Sequence, residues 1–252
     1  MPFPPEFDHL YVVLVSTRNP LNIGAAARAM SNLGFLRLRV VNPYEASFRE
    51  AKSAVGAAPL LTKAEQYGSV AEAVADCSLV VGTTAVGHRE LQHPLKLLAE
   101  GAPPIRKQLR ACGRVALLFG SEKRGLSNDD LSHCHWLLHI PTREEHTSMN
   151  LGQAVAVCLY ELGRDSEAAK RGGARAVPKM AKVKDANAGE LERLTSMLLE
   201  TLHESGYLGP RSVAAKEEKI RRMVRRQNLS AEDAELWLGM LRQILWKIKA
   251  AN

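Results

Sequence analysis

The sequence predicts an α/β protein built on a mostly parallel sheet, followed by a small all-helical C-terminal domain. Three observations carry this. Short β-branched apolar runs alternate with segments of helical period up to about residue 163, the pattern of successive βα units. Two of these runs, 115–119 and 136–140, break into loops bearing Gly, Ser and Asn, as strands do where open α/β sheets form a ligand crevice. Beyond residue 163 the apolar runs give way to a basic stretch and then to three helical patterns.

The elements follow in order. Residues 10–15 form a first strand buried on both faces. A polar loop, 16–20, leads to a helix over 23–33, for which Asn22 is a candidate cap and Gly34 the stop. Gly24, Ala25, Ala26, Ala27 and Ala29 leave this helix nearly bare, with Arg28 its only charge. Bare turns suit either tight packing or close approach of a substrate. A second strand spans 36–41, and helical pieces are expected at 48–55 and 69–75, the latter capped by Ser69. The strand at 79–81 breaks into Gly82-Thr83-Thr84-Ala85-Val86-Gly87, a loop able to present backbone donors to a ligand. A helix over 103–111 stops at Gly113, and the strand 115–119 follows. After Asn150, Leu151, Val155, Cys158, Leu159 and Leu162 recur at helical spacing.

The domain organisation expected is 1–163 for the sheet domain, 164–189 for a basic linker with Gly172-Gly173, and 190–252 for the helical domain. The three C-terminal helices expose apolar faces through Leu191, Leu194, Leu198 and Leu202, through Ile220, Met223 and Val224, and through Trp237, Met240, Leu241, Ile244, Leu245 and Ile248. Ser230 with Asp233 resembles a capping box for the last. So small a unit needs the first domain or a second copy for stability.

Apolar residues make up 46% of the 252, enough for a sizeable core, and the net charge is +7. Residues 1–163 carry 16 Lys and Arg against 15 Asp and Glu, whereas residues 164–252 carry 18 against 12. The excess positive charge thus sits in the C-terminal third and suggests a polyanion partner, with a solvated polar helix as the plain alternative. Lys216, Lys219, Arg221, Arg222, Arg225 and Arg226 cluster within one helix as a candidate phosphate track. The four cysteines form no close CxxC pair, so neither a disulfide framework nor a standard zinc site is signalled. His133 and His135 alternate around Cys134, but no fourth ligand is apparent and no metal is expected. Neither a signal peptide nor a membrane span is visible, so the cytoplasm is the expected location.

Two loops invite chemistry. In Gly120-Ser121-Glu122-Lys123-Arg124-Gly125-Leu126 the glycines permit a tight turn. Glu122 either pairs with Lys123, Arg124 or Arg28, or holds an arginine or a helix end in place. Ser148-Met149-Asn150 precedes a core-packed helix, so Ser148 or Asn150 can serve as its cap.

Together these segments resemble one family. Asn22-Ile23-Gly24-Ala25-Ala26-Ala27-Arg28 through Leu33-Gly34, then 119–126, then Ser148-Met149-Asn150-Leu151 are similar, in order and spacing, to the three motifs of the SPOUT RNA methyltransferases, TrmH-type branch. The C-terminal region, ending LRQILWKIK at 241–249, resembles the TrmJ subgroup. The resemblance implies a C-terminal trefoil knot, an exception to the unknotted rule. It also implies a homodimer whose sites are built partly across the interface. S-adenosylmethionine would be the methyl donor, touched by Thr83, Thr84, Ala85, Gly120, Ile140, Thr147, Ser148, Met149 and Asn150. The substrate implied is the ribose 2′-hydroxyl of cytidine or uridine at tRNA position 32, the start of the anticodon loop. An rRNA ribose methyltransferase, or a non-catalytic RNA-binding protein on the same fold, are the alternatives.

Methyl transfer to a hydroxyl needs in-line alignment and stabilisation of an oxygen losing its proton. The resemblance points to Asn22, Arg28, Glu122, Ser148 and Asn150 as catalytic. A guanidinium hardly ever deprotonates, so Arg28 is expected to fix the ribose-phosphate and stabilise incipient alkoxide charge. Ser148 and Asn150 would orient the hydroxyl or the cofactor. Asn22 would fix Arg28 or the ribose, and Glu122 would anchor the loop or Arg28.

Overall fold

The structure, a computed structural model, describes residues 4–52, 58–85, 92–164, 184–208 and 213–251. Among these, seven strands form one sheet: β1 (Leu10–Val15), β2 (Arg37–Val41), β3 (Glu65–Tyr67), β4 (Leu79–Thr83), β5 (Leu95–Leu97), β6 (Val115–Phe119) and β7 (Trp136–His139). Their spatial order is β3-β2-β1-β6-β4-β7-β5, and every pairing is parallel. The expected α/β sheet is therefore present. β3 and β5 were not expected: each is three residues long and lacks the apolar run that marks the other strands.

Alternation along the strands feeds a core on each face. Leu10, Val12 and Leu14 join Leu117 and Phe119 on one side; Tyr11, Val13 and Val15 join Ala116 and Leu118 on the other. The first core is covered by α1 (Pro20–Leu33), α5 (Leu98–Arg110) and α7 (Leu151–Arg164), with α2 (Glu45–Lys52) and α3 (Ala58–Thr62) beside them. The second lies under α4 (Val70–Val74) and α6 (Asn128–Ser132).

Two helix starts differ from expectation. The cap of α1 is Asn19, whose side chain accepts from the Leu21 N–H at 3.0 Å, with Pro20 pre-set at the first helical position. Asn22 thus lies inside the helix, and its side chain is free for other work. α5 begins five residues before the expected 103–111 and runs through Pro103 and Pro104. Its early start is held by the Glu100 carboxylate accepting from the Leu97 N–H, and by burial of Leu98, Gly101 and Ala102. The bare face of α1 serves close packing: a Cβ on Gly152 of α7 would lie 2.6 Å from Ala25 Cβ.

The remaining helices are α8 (Ala188–Glu204), α9 (Val213–Arg226) and α10 (Ala231–Ala251). They share a small core of Leu191, Leu194, Val224, Ala234, Leu238 and Leu241. The buried face of α10 is rotated from the expected one, leaving Trp237, Met240 and Ile244 exposed. The start of α8 docks on the sheet domain, where Ala188 N–H donates to Cys77 O and Gly189 N–H to Ala75 O, both at 2.7 Å. Most of the expected basic linker lies outside the described residues. The strand order, with β7 between β4 and β5 before the chain returns to α1, is consistent with the expected trefoil crossing.

Candidate active site

At the C-terminal ends of β4, β6 and β7 lies a cavity of about 520 Å³. Three stretches wall it: Thr83-Thr84-Ala85, the loop 119–126, and residues from Ile140 to Asn150. Leu126, Leu131, Leu138 and Ile140 supply an apolar floor, while amides, hydroxyls and backbone groups form the rim. An apolar body with a few convergent polar groups is the usual character of a small-molecule site. Strand pairing fixes the floor, because Thr83 Oγ1 donates to Leu118 O at 2.8 Å and Thr84 N–H to Leu138 O at 3.0 Å.

The loop after β6 is tight. Gly125 takes φ +66° and donates its N–H to Ser121 O at 2.8 Å. A Cβ on Gly120 would lie 2.0 Å from the Gly125 carbonyl carbon, so no other residue fits there without moving the loop. This turn aims Glu122 back at α1. Its carboxylate accepts from the N–H groups of Asn19, at 3.3 Å, and Arg18, at 3.5 Å. It also accepts from Asn22 Nδ2 at 3.1 Å. Asn22 Oδ1 in turn accepts from Asn150 Nδ2 at 2.8 Å, and Asn150 Oδ1 accepts from the Gly152 N–H at 2.9 Å. One hydrogen-bonded chain therefore ties all three loop motifs together, bracing the lead-in to α1 at Arg18 and Asn19 and capping α7. Asn150, not Ser148, is the cap of α7. Glu122 holds a helix end, as one of the two expected readings has it.

All nine residues expected around the cofactor line this cavity, as do Asn22, Glu122, Ser148 and Asn150. Arg28 does not. It lies on an exposed face of α1, seven residues on from Leu21, which is 79% exposed. Asn22 and Glu122 hold each other, so of the expected alternatives Glu122 anchors its loop to the start of α1 and neither side chain holds Arg28. Sequence reading missed Leu126, Leu131, Leu138 and Thr142; only the strand alternation of Leu138 with Ile140 hinted at the floor.

The candidate phosphate track divides. Lys216, Lys219 and Arg226 are exposed on α9, whereas Arg225 is 1% exposed and Arg222 8%. Arg225 pairs with Glu192 at 3.0 Å, Arg221 with Glu192 at 3.2 Å, and Arg222 with Glu218 at 3.4 Å. Arg221, Arg222 and Arg225 are thus committed to internal partners, because a buried guanidinium needs a counter-charge. No cluster of His, Cys, Asp and Glu suited to a metal occurs among the described residues. Nor is any described helix long and apolar enough to cross a membrane.

The SpoU rRNA methylase family profile matches residues 9–160, the whole of the sheet and its three motifs. The chain belongs to this family. TrmJ of Pseudomonas aeruginosa, named a tRNA (cytidine/uridine/adenosine-2′-O-)-methyltransferase, is 36% identical over 240 residues, covering 93% of each chain. TrmJ of Klebsiella pneumoniae, a tRNA (cytidine/uridine-2′-O-)-methyltransferase, is 34% identical over 94% of this chain and 96% of its own. The crystal structure of TrmJ from Z. mobilis superposes with a TM-score of 0.78 at 29% identity, covering 93% of this chain and 98% of that one. The resemblance to SPOUT RNA 2′-O-ribose methyltransferases of the TrmH type, TrmJ subgroup, is thereby borne out.

Proposed function

We propose that this member of the SpoU family transfers the methyl group of S-adenosylmethionine to a ribose 2′-hydroxyl of tRNA, at position 32 of the anticodon loop. The observation that carries this is the convergence of all three motif loops on one cavity with an apolar floor and a hydrogen-bonded rim. Its volume, about 520 Å³, falls within the range of cofactor sites. The relatives that include the C-terminal helices are tRNA enzymes by name, which favours tRNA over rRNA as the substrate.

S-adenosylmethionine, held by the residues that line the cavity, would supply an electrophilic methyl group for the ribose oxygen. The chain's part is positioning and charge. Leu126, Leu131, Leu138 and Ile140 would hold the adenine, with backbone groups of Thr83, Thr84, Ala85 and Gly120 around it. Thr147, Ser148, Met149 and Asn150 would hold the remainder, and Ser148 and Asn150 the incoming hydroxyl. The Glu122–Asn22–Asn150 chain keeps these loops in register.

Arg28, exposed on α1 and absent from the lining of its own cavity, would serve a site across a subunit interface. Leu21 on α1 and Val157 and Tyr160 on α7 are exposed apolar side chains, and Arg28 lies on the same face of α1 as Leu21. Exposed apolar side chains on two packed helices suit an isologous dimer, in which each protomer would lend Arg28 to its partner's cavity. There the guanidinium would fix the ribose-phosphate and stabilise the oxygen as its proton leaves. The cytoplasm, where tRNA is found, is the matching location.

The test is transfer of tritiated methyl from S-adenosylmethionine to tRNA and rRNA, with the modified nucleotide mapped. Label at tRNA position 32 is expected. Arg28→Ala should abolish transfer and leave cofactor affinity largely intact. Binding of tRNA with no transfer by the wild type would end the enzymatic reading.

A further inference from the structure

Glu192 on α8 lies at the centre of a joint between the C-terminal helices and α6. Its carboxylate is 3.0 Å from Arg225 Nη2, 3.2 Å from Arg221 Nε and 3.6 Å from His133 Nδ1. Arg221 continues across the joint: its Nη1 donates to Ser132 Oγ at 3.0 Å and lies 3.5 Å from Asp129. Arg225 adds a bond to Ala188 O at 3.0 Å. Both helical pieces are thus gripped at once, α8 and α9 on one side, and the end of α6 on the other.

The far side of α6 is the cavity. Leu131, between Asp129 and Ser132, belongs to the apolar floor. A Cβ on Gly82 of β4 would meet Cys134 Sγ at 2.9 Å and Leu131 Cδ2 at 3.2 Å, so this segment is pressed on the sheet with no slack. α6 begins at Asn128, and its cap, Ser127, directly follows the tight loop and forms a capping box with Asp130. A helix of five residues has little stability of its own. Its position therefore depends on what packs against it.

We propose that Glu192 is a positioning residue for the cofactor cavity: with Arg221 it clamps the C-terminal helices onto α6 and so fixes the floor at Leu131. The C-terminal unit then sets affinity for the methyl donor, besides any contact it makes with RNA. By reciprocity, a filled cavity strengthens the docking of the helices. This rests on the cofactor reading of the cavity.

The test uses the full chain without RNA. Binding of S-adenosylhomocysteine, the demethylated product, is measured by calorimetry for wild type, Glu192→Gln, Arg221→Ala and the double variant. Lys249→Ala, which breaks the exposed pair with Glu200 on the same helical unit, is the control. Amide exchange at 128–134 reports the state of α6. Each single variant should weaken binding roughly 5- to 20-fold, within the usual range of coupling between sites. The double variant should be no weaker than the worse single, α6 should exchange faster, and Lys249→Ala should match wild type. Should Glu192→Gln fold poorly, Ser132→Ala loosens the same joint from the α6 side and should show the same effect in smaller measure. Wild-type affinity in the variants, whether or not exchange at α6 rises, would overturn the proposal while leaving the cofactor reading intact. A wild type that binds no product would instead remove the cofactor reading and this inference with it.

Discussion

Glu122 and Glu192 each gather donors from distant parts of the chain, one at the rim of an open cavity and the other inside a closed joint. Glu122 takes neutral partners, the N–H groups of Arg18 and Asn19 and the amide of Asn22, and stays exposed. Glu192 takes two guanidiniums, one of them fully out of water. Neutral donors at an exposed rim are held weakly enough to adjust when a ligand arrives, since a typical hydrogen bond nets only about 1 kcal/mol. Buried charges cannot adjust, because losing a partner strands the other in a medium that does not solvate it. The same side chain thus orders a reactive site in one place and fastens two parts of the fold in the other, and burial decides which.

The largest effect expected is at the joint. Arg225→Met strands Glu192 with Arg221 and His133 alone, and breaking a buried pair from one side costs roughly 3–5 kcal/mol. Denaturant unfolding should show that loss, whereas Lys249→Ala should leave the midpoint unmoved. Acid tests the joint together with His135, at the head of β7. Burial by itself would raise the Glu192 pKa, but His133, Arg221 and Arg225 outweigh it and hold it at about 2. Burial, with Arg225 nearby, pushes His135 down to about 3, and its Nδ1 accepts from the Val80 N–H at 3.0 Å. Both groups bind protons more readily when unfolded, so stability is full above pH 6.5, the ordinary value for His135, and falls as pH drops. Glu192 adds its share below its ordinary 4.5, lost by about 2. A stability profile flat from pH 7 down to 4 would contradict this.

Glu122→Ala should do the reverse. It removes the acceptor shared by Arg18, Asn19 and Asn22, and lets the three loops drift by about 1 Å. Misplacement on that scale costs on the order of 10²-fold in rate, with stability changed by less than about 1 kcal/mol, since the group is exposed. Single-turnover methyl transfer beside thermal unfolding would separate the two. A variant that lost stability and kept its rate would mean the rim is scaffold only.

The two regions also differed in how far they could be read from sequence. The cavity was legible because its walls are contiguous strings at strand ends, so Thr83 to Ala85, Gly120 to Leu126 and Thr147 to Asn150 each announce themselves. Its floor was less so, because Leu126 and Leu131 look like any core leucine. The joint was not legible at all. The residues that neutralise Arg221 and Arg225 lie 29 and 33 positions away at Glu192, and Ser132 is 89 away. Helical spacing sees a charged face equally whether water or a carboxylate meets it. Asn19 was passed over for Asn22 although Pro20 marks the first turn, and the face of α10 was misjudged because Trp237 and Met240 flank the buried Leu238 and Leu241.

That division sharpens the last prediction, which is the smallest. Of six basic residues read as a phosphate track, Lys216, Lys219 and Arg226 remain exposed, and their spacing of three and seven residues puts them on one face of α9. Each phosphate contact adds about 0.7–0.9 to the slope of log affinity against log salt. Replacing the three with alanine should lower the slope for tRNA by roughly 2, as measured by anisotropy across a salt series. Arg221→Ala, at an internal position, should leave the slope unchanged even where affinity moves, because undocking a helix releases no counterions. A slope that fell equally in both variants would place Arg221 on the nucleic acid and dissolve the distinction between joint and surface.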